Sequence, residues 1–239
     1  MYPYIHLILP TYAVMAFLGL FLSVCFVYIR LDDVNISFSC FIKVLCTSVL
    51  GVFLGSKILF AITQIPWLLK HFSISNMIML IPQSGYVFYG GLFGMIFLIY
   101  IMFRSDIEMG KKVFWLVVPV MPLFHSFGRV GCFLSGCCYG KKLVTPFQLG
   151  IFVFERIPVQ LIEAFAEIII FIGILVIQRK RPQADSLRFY LVTYAILRFL
   201  DEFLRGDEIR GIWFGLSTAQ WISIAIIGYY IIKKITRRS

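Results

Sequence analysis

Arg198, Glu202 and Arg205 follow one another at intervals of four and three residues, and Gln160 and Glu163 at an interval of three. On a helix such intervals bring side chains onto one face. Arg129 stands inside a segment rich in glycine and thiol, GRVGCFLSGCCYGK (128–141), and Lys57 inside LGSKILF. Guanidinium groups grip oxyanions through paired hydrogen bonds, so the chemistry within reach is the holding of a carboxylate or a phosphate. The cations outnumber what Glu163 and Glu202 neutralise, which leaves a place in the charge balance for an anionic ligand such as a phosphate. Cys132, Cys137 and Cys138 set three thiols close to Arg129 in the chain.

The elements that must position these groups are membrane spans. Of 239 residues, 60% are hydrophobic and 14% charged, a balance that excludes an ordinary soluble domain. About seven apolar runs of the length that crosses a bilayer fall near 11–30, 40–66, 85–103, 113–135, 158–178, 187–205 and 213–233. In lipid a single segment satisfies its own backbone only as a helix. The expected fold is therefore an all-α integral membrane protein, one polytopic domain over 1–239. The first run has no basic leader and no small-residue cleavage site, and reads as a span that is kept.

Lysine and arginine in the short connections set the orientation, because positive loops stay in the cytoplasm. With the N-terminus out and the C-terminus in, the inner side collects Arg30, Arg104, Lys111, Lys112, Arg179, Lys180, Arg181, Arg188, Lys233, Lys234, Arg237 and Arg238. The outer side holds Lys70, Lys141, Lys142, Arg156 and Arg210, with Arg205 at a helix end. The net charge of +10 is then a property of the inner loops and not a sign of nucleic-acid binding. Lys57, Tyr89, Gly90, Arg129, Gln160, Glu163, Arg198, Glu202, Arg205 and Gln220 all fall toward the outer leaflet. A charge at the bilayer centre costs at least ~2.5 kcal/mol, so a layer of them needs partners or a task. It reads as a cavity open to the outer leaflet; the alternative is a set of ion pairs that hold the bundle together. Gly90, Gly91, Gly94, Gly128, Gly131, Gly136 and Gly140 remove side chains where helices or a ligand come close. Residues 139–157 are the longest connection, an outer-face loop in which LGIFVFERIP suggests a short strand or a re-entrant piece.

The order YGGLFG (89–94), GRVGCFLSGCCYGK (128–141), PVQLIEA (158–164), RFLDEFLRGDE (198–208) and FGLSTAQWIS (214–223) resembles the prolipoprotein diacylglyceryl transferase family, over about residues 10–232. The resemblance implies a multi-pass enzyme of the bacterial inner membrane with seven helices and an outside N-terminus. Such enzymes move the diacylglyceryl group of phosphatidylglycerol onto the lipobox cysteine thiol of a prolipoprotein and release glycerol phosphate. No metal or organic cofactor is implied. Arg129 matches the family's essential arginine, Gly140 its closing glycine, Arg198 and Glu202 its later arginine and glutamate, and Arg205 the arginine one turn on. Lys57 stands where the family usually has arginine. On this reading Arg129 and Arg198 hold the departing phosphate, Lys57 supports them and Glu202 orients an arginine. Gly90, Gly91, Cys132, Gly140, Gln160, Glu163, Arg205 and Gln220 complete the substrate-binding set.

Two departures stand out. Tyr89-Gly90-Gly91 replaces the family's His-Gly-Gly, whose histidine is a favoured base for the incoming thiol; Tyr89 needs neighbouring cations to serve, and His125, one turn before Arg129, is the alternative imidazole. Cys132 replaces an asparagine, and the Cys137-Cys138 pair is additional. Packing suits Cys25, Cys40 and Cys46. For Cys132, Cys137 and Cys138 four readings stay open: packing, a disulfide, zinc binding together with His125, and a nucleophilic thiol. Two other functions compete with diacylglyceryl transfer: a non-catalytic lipid- or peptide-binding paralogue, and a membrane thiol-redox protein.

Overall fold

The structure, a computed structural model, describes residues 4–5, 9–70, 87–149, 152–182, 185–207 and 212–236. Glu208, Arg210, Arg237 and Arg238, which enter the motif and charge readings, lie outside these residues. The helices are α1 (Thr11–Ile29), α2 (Phe38–Lys70), α3 (Phe88–Met102), α4 (Ile107–Val117), α5 (Val120–Ser135), α6 (Val159–Lys180), α7 (Ser186–Asp201) and α8 (Thr218–Thr236). Short antiparallel pairs join β1 (Tyr4–Ile5) to β2 (Leu9–Pro10), β3 (Lys142–Leu149) to β4 (Phe152–Arg156) and β5 (Ile212–Trp213) to β6 (Leu216–Ser217).

Every apolar run of the sequence holds helix. Among the described residues four helical stretches are long and apolar enough to cross a membrane: Thr11–Ile29, Phe38–Thr63, Ile107–Ser135 and Val159–Lys180. Phe88–Met102 is apolar but shorter. The two faces of α6 show what solvent this sequence is built for. Gln160, Glu163, Glu167, Ile170, Ile174 and Gln178 are buried at helical intervals, while Ile162, Phe165, Ile169, Ile172 and Val176 are exposed at the same intervals. A water-soluble helix buries its apolar stripe. Here the apolar stripe faces out and the carboxylates face in, as lipid requires.

The chain divides into two compact units, a smaller one of Tyr28–Leu116 and a larger one of Met1–Val27 with Val117–Ser239. In the smaller unit α2 and α3 meet backbone to backbone. A Cβ on Gly55 would lie 2.1 Å from the Gly90 carbonyl oxygen, and one on Gly94 would lie 2.2 Å from that of Gly51. Gly51/Gly55 and Gly90/Gly94 thus form two facing seams of small residues, the pattern that lets membrane helices approach closely. Gly55→Val is expected to force the helices apart and lower the thermal midpoint in detergent, by the equivalent of about 1–3 kcal/mol for overpacking. An unchanged midpoint would contradict the seam.

Two expectations about element limits change. The run 113–135 is two helices, because Pro119 has no N–H and its ring clashes with the carbonyl four residues back; α4 stops at Val117 and α5 starts at Val120. The run 187–205 ends early, α7 closing at Asp201, so Arg205 does not continue the helical face of Arg198 and Glu202; it lies beyond the helix, bridged to Gly140. Within 139–157 the strand expected there is present, as β4 paired antiparallel with β3, with Phe147 stacked on Phe154 at 4.9 Å.

Candidate functional site

Three helices of the larger unit bring the expected charges together. Arg129 on α5 sets its Nε 2.8 Å from Glu163 Oε2 on α6. Arg198 on α7 donates to the same oxygen through Nη1 at 3.1 Å, to Asp201 Oδ2 at 3.2 Å, and through Nη2 to Glu202 Oε1. Arg205 donates through Nη1 to Glu202 Oε1 at 3.2 Å and forks onto Asp207, Nε to Oδ1 at 2.8 Å and Nη2 to Oδ2 at 2.5 Å. His125 Nδ1 lies 2.8 Å from Glu167 Oε1, and its Nε2 lies 3.7 Å from Glu163 Oε1. The network is buried throughout, with Arg129, Arg198 and Arg205 at 6%, 8% and 7% exposure.

Glu167, Asp201 and Asp207 are absent from the sequence-predicted set. Glu167 and Asp201 carry a legible signal, one turn beyond Glu163 and Arg198 respectively. With them the carboxylates of Glu163, Glu167, Asp201, Glu202 and Asp207 face the guanidiniums of Arg129, Arg198 and Arg205 and the His125 ring. The cation surplus expected within this layer is therefore corrected: acids match or exceed bases. Their distribution is uneven, however. Arg198 meets three carboxylates and Arg205 two, whereas Arg129 pairs with Glu163, which it shares with Arg198. Arg129 Nη2 is buried with no hydrogen-bond partner among the described residues. Leaving such a group unsatisfied costs about 1–3 kcal/mol, more when it is charged. Among the described residues, Arg129 Nη2 thus keeps unused donor capacity within this layer.

The other predicted residues separate by role. Gln160 Nε2 donates to the Cys137 carbonyl at 2.7 Å and pins the chain that follows α5. Gly140 threads between the hairpin base and the segment after α7: a Cβ there would lie 2.3 Å from the Ile157 carbonyl oxygen, and Lys141 N–H donates to Leu204 O at 2.9 Å. Gln220 caps α8, since its Oε1 accepts from Ser217 N–H at 2.9 Å while Ser217 Oγ accepts from Gln220 N–H at 3.2 Å. This reciprocal pair is the capping box spelled by Ser217-x-x-Gln220, and it accounts for the buried glutamine locally. Lys57, Tyr89, Gly90 and Gly91 belong to the smaller unit, where Gly90 lines the α2–α3 seam and Tyr89 is buried and stacked on Phe93 at 5.8 Å.

A double turn gathers the three thiols. Gly136, at φ 76°, closes α5 in the left-handed conformation and returns its N–H to the carbonyls of Cys132 and Phe133. Cys137 N–H donates to Cys132 O at 3.1 Å. Cys138 is itself left-handed at φ 53°, a conformation costing of order 1 kcal/mol for a residue with a Cβ. The Sγ atoms of Cys132, Cys137 and Cys138 lie within 4.8 Å of one another, with no disulfide joining them. Hydrogen bonds from Cys132 and Cys137 hold the Cys138 thiol well below the ordinary range, and Arg205 and Arg129 act in the same direction.

This chain is similar in sequence to known proteins. It is similar to the "Phosphatidylglycerol--prolipoprotein diacylglyceryl transferase" of Clostridium tetani, 32% identical over 193 residues that cover 77% of this chain and 76% of the relative. A relative of the same name, numbered 2, from Clostridium perfringens is 31% identical over 191 residues, 75% of this chain and 72% of its own. A third from Chlorobaculum tepidum is 36% identical over 135 residues, 53% of this chain and 46% of its own. The family model described as prolipoprotein diacylglyceryl transferase matches residues 4–235, so the chain belongs to that family.

Proposed function

We propose that this protein transfers the diacylglyceryl group of phosphatidylglycerol to the cysteine thiol of a prolipoprotein lipobox, releasing glycerol phosphate. Family membership supports the reaction. The observation that carries it is Arg129 Nη2, a buried cationic donor without a partner among the described residues, backed by Glu163 and Arg198. In the transfer a thiolate attacks the glyceryl carbon that bears the phosphate, the carbon–oxygen bond breaks, and charge builds on the departing phosphate monoester. A fixed guanidinium in a water-poor layer stabilises that charge without reorganising. Glu163 orients Arg129 and Arg198 together, and Glu202 holds Arg198 against Arg205. The reading includes seven spans of one polytopic domain in the bacterial inner membrane, N-terminus out and C-terminus in, with the site toward the outer leaflet; the basic residues of the short loops support it.

One experiment tests both the reaction and its side. The chain is placed in right-side-out vesicles containing phosphatidylglycerol, and a membrane-impermeant lipobox peptide is added outside. Glycerol phosphate release and a thioether-linked diacylglyceryl peptide are expected. Release only from inverted vesicles would overturn the orientation, and no release from folded protein on either side would overturn the function.

A further inference from the structure

Cys132, Cys137 and Cys138 take no part in the ion-pair network, yet the chain bends sharply to gather them. Gly136 and Cys138 both adopt left-handed backbone to do so, and Gln160 and the Gly140–Arg205 bridge hold the segment in place. Three sulfurs within 4.8 Å of one another match the span of ligands around one small cation. Soft thiolates at such spacing select thiophilic metals, and zinc with three protein ligands keeps a fourth position for a substrate. Cys137 is exposed and Cys132 and Cys138 are partly so, which leaves the group reachable. A second trio, His125, Glu163 and Glu167, is close enough to hold a metal but is fully buried, and Glu163 is already engaged by Arg129 and Arg198.

The geometry points to a zinc site made by Cys132, Cys137 and Cys138 that binds the acceptor cysteine of the lipobox peptide as its fourth ligand and so makes it a thiolate. The inference rests on the transferase reading and supplies what that reading lacks. The thiolate is the nucleophile, and a thiol bound to a metal gives up its proton. Tyr89 offers no imidazole for that proton, and His125 is held by Glu167 and Glu163. In the transfer the acceptor sulfur forms its bond to the glyceryl carbon, the carbon–oxygen bond to phosphate breaks with its electron pair on oxygen, and the thiol's proton ends on the departing glycerol phosphate. Nothing is oxidised or reduced. The thioether product is a poor zinc ligand and leaves. Arg129 stands three residues before Cys132, on the same helix face, so the thiol and the phosphate are held side by side.

The test uses the whole chain purified without chelator. Metal analysis after exposure to Zn2+ is expected to give about one zinc per chain. Cys132→Ser, Cys137→Ser and Cys138→Ser should each lose most of it, while Cys46→Ser, far along the chain, should keep it. Replacing zinc by Co2+ gives a sulfur-to-metal absorption band, which a lipobox peptide should shift and its serine counterpart should not. A native chain that binds no more zinc than the triple serine variant, or one found with a disulfide among these cysteines, overturns the site. An unmoved cobalt band overturns thiol activation. Glycerol phosphate release from zinc-free protein at the full rate would sink this inference and leave the transferase reading standing; zinc bound and the band shifted without any release would do the reverse.

Discussion

Arg129→Ala is expected to cut glycerol phosphate release by about 10²–10³-fold while the protein stays folded, because it removes one fixed donor aimed at developing charge. The fold should survive the change for a specific reason. Glu163, the carboxylate that Arg129 leaves behind, keeps Arg198 at 3.1 Å and the His125 ring at 3.7 Å, so no buried anion is stranded. Arg129→Lys should restore little, since an ammonium retains the charge but not the planar fork. Rates with phosphatidylglycerol and a lipobox peptide, read beside thermal unfolding in the same detergent, separate the two effects. A folded Arg129→Ala protein within ~10-fold of the parental rate would remove Arg129 from the role assigned to it.

Glu163→Gln should act on stability first. Glu163 is the carboxylate shared by α5 and α7, touching Arg129, Arg198 and His125 from α6. Removing one partner of a buried charge pair costs about 3–5 kcal/mol, mostly because the other charge is left uncompensated. Here two guanidiniums are affected at once, so a strongly lowered thermal midpoint or a poor yield of monodisperse protein is expected. Arg129→Met added to Glu163→Leu should recover part of the loss, since residues in one network do not add independently. A Glu163→Gln protein as stable as the parent would show that Glu163 is not the centre of the layer.

The helical membrane fold was legible because lipid leaves few alternatives, and the outward apolar stripe of α6 shows the constraint at work. Contacts along one helix were legible too, as Arg198 with Glu202. The pairing of Arg129 with Glu163 joins two helices, and no spacing rule within either one gives it; the order of motifs suggests the set, and the packing of α5 against α6 makes the contact. Glu167 and Asp201 lay one turn from recognised residues, and their omission produced the expected cation surplus. Gln220 carries a second legible signal beside its expected substrate contact: Ser217 three residues earlier spells a helix cap, which the structure contains. The thiol cluster was least legible, because it depends on Cys138 taking a backbone conformation that sequence does not announce for cysteine.

The sharing of Glu163 among three helices bears on how the chain enters the bilayer. On the seven-span reading, a nascent α7 carrying Arg198 and Asp201, with Glu202 at its C-terminal cap, partitions poorly into hydrocarbon alone. Compensation for Arg198 comes from Glu163 of α6, which emerges from the ribosome earlier, and Glu163 in turn is paired with Arg129 of α5. On that reading the later segments are expected to insert cooperatively, each with its predecessor at hand, and a lesion in the shared carboxylate is expected to surface as failed assembly before it surfaces as lost turnover.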